Sequence, residues 1–266
     1  MRERIDAKRQ SGYWDAIADE YQSFTRIRCD DFHYGPQIPG ESALRLLPKF
    51  RPGMTALELG CGGAQNSVWL AKRGVVCTAM DVSSAQLAHA ARLCREQGVA
   101  VRLAQAGFAD FGRHLKARER FNFVHTSHAI EFVEDPAAAV AAMAARLKRG
   151  GTLMVSTVHP VYNGEWTAFE METGRGRRTK PVDGLFLSSY FEPPDDVRDE
   201  NGVHVVSRAH PVSSWFRWLK AAGLQVTALE EPAAIADAPY TSRDWADHGG
   251  QLDAIPSTVI FTARRA

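Results

Sequence analysis

Two glycines and two carboxylates carry the clearest chemistry in this sequence. An apolar run, residues 55–59, leads into Gly60 and Gly62 and then into a helical pattern. There the backbone must turn tightly and lie close against a ligand. The third glycine of a dinucleotide-binding G-x-G-x-x-G is replaced by Gln65, and no lysine completes a phosphate-binding P-loop. Glu58 stands two positions before Gly60. A carboxylate at that point repels pyrophosphate and accepts hydrogen bonds from a cationic amine. S-Adenosylmethionine has such an amine and no phosphate, so it suits this loop better than a dinucleotide does. Asp81 ends the next apolar run, roughly 20 residues past the glycines, where an acid can accept both ribose hydroxyls. The same residue also reads as the cap of the following helix.

Displacement at a carbon activated by a sulfonium is in line, and a protein that used it would mainly position the reactants and exclude water. A base is needed only for a hydroxyl, an acidic carbon or a protonated amine. Histidine titrates nearest neutrality. His128, after the fourth strand pattern, His159, after the fifth, and His210 are therefore the candidate catalytic residues, with His33 and Tyr34 ahead of the first strand behind them. Each also reads as an ordinary hydrogen-bonded or surface side chain.

Hydrophobic periodicity supplies the frame for these residues. Residues 1–30 read helical, with Tyr13, Trp14, Ile17, Tyr21 and Phe24 near helical spacing, and 42–50 suit a short helix. Buried-strand runs at 55–59, 75–80, 101–104, 121–126 and 152–157 alternate with helical stretches at 66–73, 83–97 and 136–147. That alternation implies an α/β fold, a mostly parallel sheet with helices on both faces. Regularity breaks between 161 and 210, which holds GRGRRTK, FEPPDD and a hairpin-turn signal at Asn201-Gly202. This segment reads as a substrate lid. Trp166, Phe169, Phe186, Tyr190, Phe191, Trp215 and Trp218 could line a pocket there, or form a satellite core. A helix at 213–222 and strands at 224–229 and 258–263 finish the sheet.

The bulk properties set outer limits. The chain has 266 residues, 45% hydrophobic and 24% charged, with a formal net charge of +1. It can bury a full core. The near-zero charge opposes a nucleic-acid binder that works by neutralising phosphates. No apolar run reaches the roughly 20 residues of a membrane span. Cys29, Cys61, Cys77 and Cys94 lack metal-site spacing and suit free thiols in a reducing compartment. The start, MRERIDAKRQ, lacks an apolar signal segment. The expectation is a cytoplasmic protein that acts on a small molecule, with no metal, nucleic-acid or membrane partner and with a homodimer allowed.

The stretches LELGCGGA, VVCTAMDVSSAQLAHA, FNFVHTSHAIEFVEDP and LKRGGTLMVSTVHP occur in order. Together they resemble the class I S-adenosylmethionine-dependent methyltransferases of small molecules, and AHPVSSWFRWLKAAGLQV is similar to their late helix-strand segment. The resemblance implies a Rossmann-like core at 46–160 under a helical cap at 1–45, a lid at 161–210, and completion of a seven-stranded sheet at 211–266. It implies that Glu58, Gly60, Cys61 and Gly62 hold the methionine part of S-adenosylmethionine. Asp81 would hold the ribose, with Val82, Gln86, Gly107, Phe108 and Ala109 around the nucleoside. Ser127 and His128 would stand near the sulfonium, and Tyr13 and Tyr21 would close over the cofactor. The sequence departs from the pattern at Ala64, Gly107 and Asn122, where relatives carry Gly, Asp and Asp. The same fold could also serve sulfonium cyclisation or elimination, or a non-catalytic nucleotide-binding module. A dehydrogenase is opposed by the missing third glycine.

Overall fold

The order of elements explains how residues far apart in sequence come to share one cleft. The computed structural model describes residues 4–173, 178–200, 202–246 and 249–266. The chain runs α1 (Ala7–Phe24), β1 (Thr25–Ile27), α2 (Glu41–Leu44), β2 (Thr55–Leu59), α3 (Gln65–Ala71), β3 (Val76–Asp81), α4 (Ser84–Glu96) and β4 (Val101–Gln105). It continues through β5 (Phe121–Ser127), α5 (Pro136–Ala145), β6 (Leu147–Val158), β7 (Glu165–Thr173), β8 (Arg178–Phe186), β9 (Asp196–Glu200) and β10 (Val203–Ser207). It ends with α6 (Val212–Ala221), β11 (Leu224–Glu230), β12 (Tyr240–Ser242), α7 (Arg243–Ala246), α8 (Gly249–Leu252) and β13 (Thr258–Arg265).

Seven strands form the central sheet in the order β11-β13-β6-β5-β2-β3-β4. The pairs β2–β3, β2–β5, β3–β4 and β5–β6 are parallel, and β13 runs antiparallel to both neighbours. This is the mostly parallel, seven-stranded Rossmann-like sheet expected from the sequence. Strand order reverses between β2 and β5, so the loops after these two strands diverge and open a crevice.

Alternation along the strands divides the core. Leu57 and Leu59 join Val140, Met143, Trp215 and Leu219 on the α5/α6 face. Ala56, Cys77 and Phe123 join Trp69 and Leu70 of α3 on the other, together with Phe32, Tyr34 and Ile38. The last three residues are fully buried, so the stretch after α1 fills the core beside α3.

Local chemistry moves several boundaries away from their expected places. Helix α1 stops at Phe24, and residues 25–27 pair with β12 across more than 200 positions. The helix expected at 42–50 shrinks to α2. Its Glu41 carboxylate folds back to accept the amides of Leu46 (2.9 Å) and Leu47 (3.2 Å), and Arg45 ends the turn at φ 54°. Helix α5 ends two residues short of the expected 147 because β6 begins there, with an irregular step near Gly150 (φ 74°) before regular pairing resumes at Thr152. The 161–210 segment folds as two antiparallel hairpins, β7–β8 and β9–β10. Gly202 (φ 79°) turns the second hairpin. Asn201 and the first four residues of GRGRRTK lie outside the described residues.

Candidate functional site

At the carboxyl ends of β2, β3 and β5 lies a cleft. Its floor is the glycine loop. Gly60 (φ 68°) and Gly62 (φ 50°) both occupy the left-handed region, which residues with a Cβ rarely enter. A side chain on Gly60 would also overlap Ala129 after β5. The amides of Gly60 and Cys61 both bond to the Met80 carbonyl, at 2.8 and 3.0 Å, and so draw the loop onto β3. Ala64 begins α3 at φ 60°, so the position that departs from glycine keeps the glycine-like backbone.

Two buried carboxylates, Glu58 and Asp81, stand in the cleft wall. Glu58 Oε2 accepts the Ser67 amide (3.1 Å) and hydroxyl (2.5 Å). Burial raises the Glu58 carboxyl to about 8 against those two bonds, with Asp81 adding to the rise. Asp81 Oδ2 accepts the Gly62 amide at 2.8 Å and Oδ1 the Ser83 amide at 2.9 Å. Burial raises its pKa, and those amides oppose the rise. Each oxygen keeps a lone pair for a further donor. Lysine and arginine are absent from the described lining of this cleft. Such a wall suits a cation and hydroxyl groups and offers a pyrophosphate no lysine or arginine among the described lining residues.

Helix α1 is strapped across the opening. Asp15 Oδ1 accepts from Ser83 Oγ (2.7 Å) and the Ala85 amide (3.0 Å) at the start of α4. There it adds negative charge to the helix N-terminus. Ser11 Oγ bonds to the Val82 carbonyl, Gln10 Nε2 to the Phe132 carbonyl, and Gln22 Nε2 to Gln86 Oε1. Trp14 and Tyr21 are thereby held in the cleft wall, where the Tyr21 and Tyr240 hydroxyls bond to each other.

A second, larger cavity adjoins the first. Trp14, Tyr21, His128, Phe132 and Tyr240 line both. Its outer wall is β9, including Arg198, together with the parallel stack of Tyr162 on Trp245 (ring centroids 4.7 Å apart). At the junction, His128 Nδ1 is 3.5 Å from Glu131 Oε1, and His128 Nε2 is 2.9 Å from Thr258 Oγ1. His128 holds a left-handed φ of 49°. Burial lowers its imidazole to about 3, with His33 and Arg198 pushing the same way. Burial lifts Glu131 to about 7 against its own amide, the Thr157 hydroxyl and Arg198. The group that titrates near neutrality at this junction is therefore Glu131.

The expected site residues divide cleanly. Glu58, Gly60, Cys61, Gly62, Asp81, Val82, Gln86, Gly107, Phe108, Ser127, His128 and Tyr21 all line the first cleft. Tyr13 lines the second cavity instead, packed with Phe132 and Val205, and Ala109 lines neither. His159 bonds to Glu231 at 2.7 Å, and His210 packs edge-on against Trp215 and Trp218. Neither of these histidines reaches either cavity. The aromatic cluster expected around the lid also stays away. Trp215 is buried in the α5/α6 core, while Phe186 and Phe191 are exposed. The aromatic walls come from α1, Tyr162, Tyr240 and Trp245. Glu131 was within reach of sequence reasoning as the i+3 neighbour of His128. Tyr240 and Trp245 depend on the β1–β12 pairing, which leaves no local signal.

The profile of a methyltransferase domain matches residues 32–229. A ubiquinone biosynthesis O-methyltransferase of Marinobacter nauticus is 35% identical over 107 residues, which cover 40% of this chain and 45% of that protein. That of Pasteurella multocida is 30% identical over 114 residues, 40% of this chain and 47% of its own. The chain thus spans less than half the length of these relatives. Among solved structures, an S-adenosylmethionine-dependent methyltransferase from Mesorhizobium loti superposes with TM-score 0.61 at 22% identity, covering 84% of this chain and 96% of its own. The [4+2]-cyclase SpnF superposes with TM-score 0.60 at 18% identity over 99% of each chain. At those identities the likeness is one of fold.

Proposed function

The chain belongs to the methyltransferase-domain family, and from that premise we propose that it binds S-adenosylmethionine in the first cleft and methylates a small molecule held in the second. The observation that carries this reading is the junction of the two cavities. Five side chains line both, so a methyl donor held in one cavity would adjoin an acceptor held in the other.

The residues present fit the cofactor. Glu58 takes the ammonium, Asp81 the ribose hydroxyls, and Val82, Gly107 and Phe108 the nucleoside. The buried Gln86 Nε2 and Ser127 Oγ, both in this wall and without partners among the described residues, supply further polar contacts. When bound, S-adenosylmethionine supplies a methyl group on a positively charged sulfur. The protein aligns the acceptor against it between Trp14, Phe132 and the Tyr162–Trp245 stack, and α1 with β9 excludes water. Glu131 would take the proton from a hydroxyl acceptor during transfer, or from an ammonium acceptor before it, and the cofactor's carbon–sulfur bond would break as the acceptor's bond to the methyl group forms. His128, neutral and held between Glu131 and Thr258, positions that carboxylate. We assign the lid to the β9–β10 hairpin.

Among the described residues, no helix is long and apolar enough to cross a membrane. The four cysteines are free thiols, which supports a reducing compartment such as the cytoplasm. Calorimetric titration with S-adenosylmethionine, S-adenosylhomocysteine and NAD tests the reading. Adenosyl binding that Asp81→Ala weakens at least about 10-fold supports it, and a preference for NAD overturns it.

A further inference from the structure

We propose that His33 recognises the α-carboxylate of the amino-acid portion of the bound cofactor, a role that rests on the cofactor reading above. The buried stretch after α1 brings His33 into the first cleft, whose lining also includes Gly63 and Gln65. Its backbone is fixed on both sides by Asn66. The His33 amide donates to Asn66 Oδ1 at 2.9 Å, and Asn66 Nδ2 donates to the His33 carbonyl at 2.9 Å. The ring is held edge-on to Tyr240 at 5.2 Å.

So firmly placed a ring ought to use its nitrogens, yet Nδ1 is buried with no hydrogen-bond partner among the described residues. A buried polar nitrogen left unpaired is costly, and the cost is recovered when a ligand supplies the partner. The environment defines that partner. Burial alone lowers the His33 imidazole to about 3, with no acidic neighbour opposing it. The ring is therefore neutral and waits for an anion that favours its protonated form. Lysine and arginine are absent from the described lining of the cleft, which leaves the imidazoles of His33 and His128 as the groups there that can become cationic, and His128 is already engaged by Thr258 and Glu131. Glu58 lines the same cleft. Together they offer a carboxyl that ionises against the ammonium and an imidazole that protonates against the carboxylate, which complements a zwitterion and contributes little to a bare nucleoside.

The test separates the carboxylate from the rest of the ligand. Affinities of wild type and His33→Ala are measured calorimetrically for S-adenosylmethionine and for decarboxylated S-adenosylmethionine, which keeps the ammonium and the nucleoside. The variant loses about 10-fold or more for the intact ligand, the size of a charge-assisted contact, and changes less than about 2-fold for the decarboxylated one. Retained binding of the second ligand also shows that the cleft is intact. If His33→Ala does not fold, His33→Phe keeps the packing on Tyr240 and gives the same pattern. Equal losses for both ligands, or no loss for either, overturn the assignment. If wild type binds neither ligand, the cofactor reading fails, and this one fails with it.

Discussion

The Gly62 amide donates to Asp81 Oδ2 at 2.8 Å, joining the glycine loop to the end of β3 across 19 positions of sequence. The second oxygen of the same carboxylate accepts the Ser83 amide at the start of α4. One side chain thus sets the loop, the strand end and the next helix relative to one another, and still faces the cleft.

Asp81→Asn separates these duties. An amide has one acceptor oxygen, so one of the two backbone N–H groups is left facing an NH₂. A buried donor left unsatisfied costs about 1–3 kcal/mol. The variant melts at lower temperature than wild type and binds S-adenosylhomocysteine at least about 10-fold more weakly. A wild-type melting curve and wild-type affinity together would show that the two amides are satisfied some other way.

Gly60→Ala tests the closeness of the loop to the strand beside it. The added methyl meets a left-handed φ of 68° and the Ala129 side chain at once. Strain of that kind costs on the order of 1–3 kcal/mol. The expected result is a lower denaturation midpoint and loss of adenosyl binding, read by urea titration and calorimetry. Gly53→Ala is the control. It shares a positive φ, 84°, but has nothing within 4 Å, so it lowers stability and leaves binding unchanged.

What the sequence revealed follows the range of the interactions involved. Glu58, Gly60 and Asp81 were legible because each lies at a strand end with its partners on adjacent elements, so local periodicity placed them. The parallel sheet was legible for the same reason. Tyr240, Trp245 and Arg198 were not, since they reach the cavities through β1–β12 pairing and a hairpin fold-back that no local pattern encodes. His159 and His210 misled because a histidine near a strand end has two ordinary fates, an ion pair and aromatic packing, and each took one.

Glu58→Gln exposes a conflict between stability and binding. The Glu58 carboxyl lies at about 8 in the folded chain against an ordinary 4.5. Its folded pKa is the higher one, so the folded state holds the proton longer. The associated stability is fully present below pH 4.5 and is lost as pH rises through 8. Glutamine cannot ionise and still accepts from Ser67. The variant's melting temperature therefore gains on wild type between pH 5 and pH 9, by about 2–4 °C for each kcal/mol regained. Its affinity for S-adenosylmethionine falls, because the ammonium loses its counter-charge. A gap in melting temperature that does not change with pH would contradict the buried, protonated carboxyl.

In the proposed methyl transfer, Glu131 sets the pH dependence. Its carboxyl faces His128 at 3.5 Å and the Thr157 hydroxyl at 3.1 Å, with Arg198 and Asp196 of β9 acting on it across the cavity. Burial outweighs the groups that favour ionisation, so it titrates at about 7 while His128 stays neutral down to about 3. A base works only when unprotonated. With a hydroxyl acceptor, kcat/KM therefore rises as pH increases through about 7 and then levels off, and a histidine base at its lowered pKa would already be level by pH 5. Glu131→Gln removes the inflection and lowers kcat by about 10²–10⁴-fold, the range for loss of a general base. His128→Asn removes the ring beside Glu131 and shifts the midpoint without abolishing it. If the inflection survives in Glu131→Gln, or disappears in His128→Asn, the proton goes to the histidine and the roles of the pair are reversed.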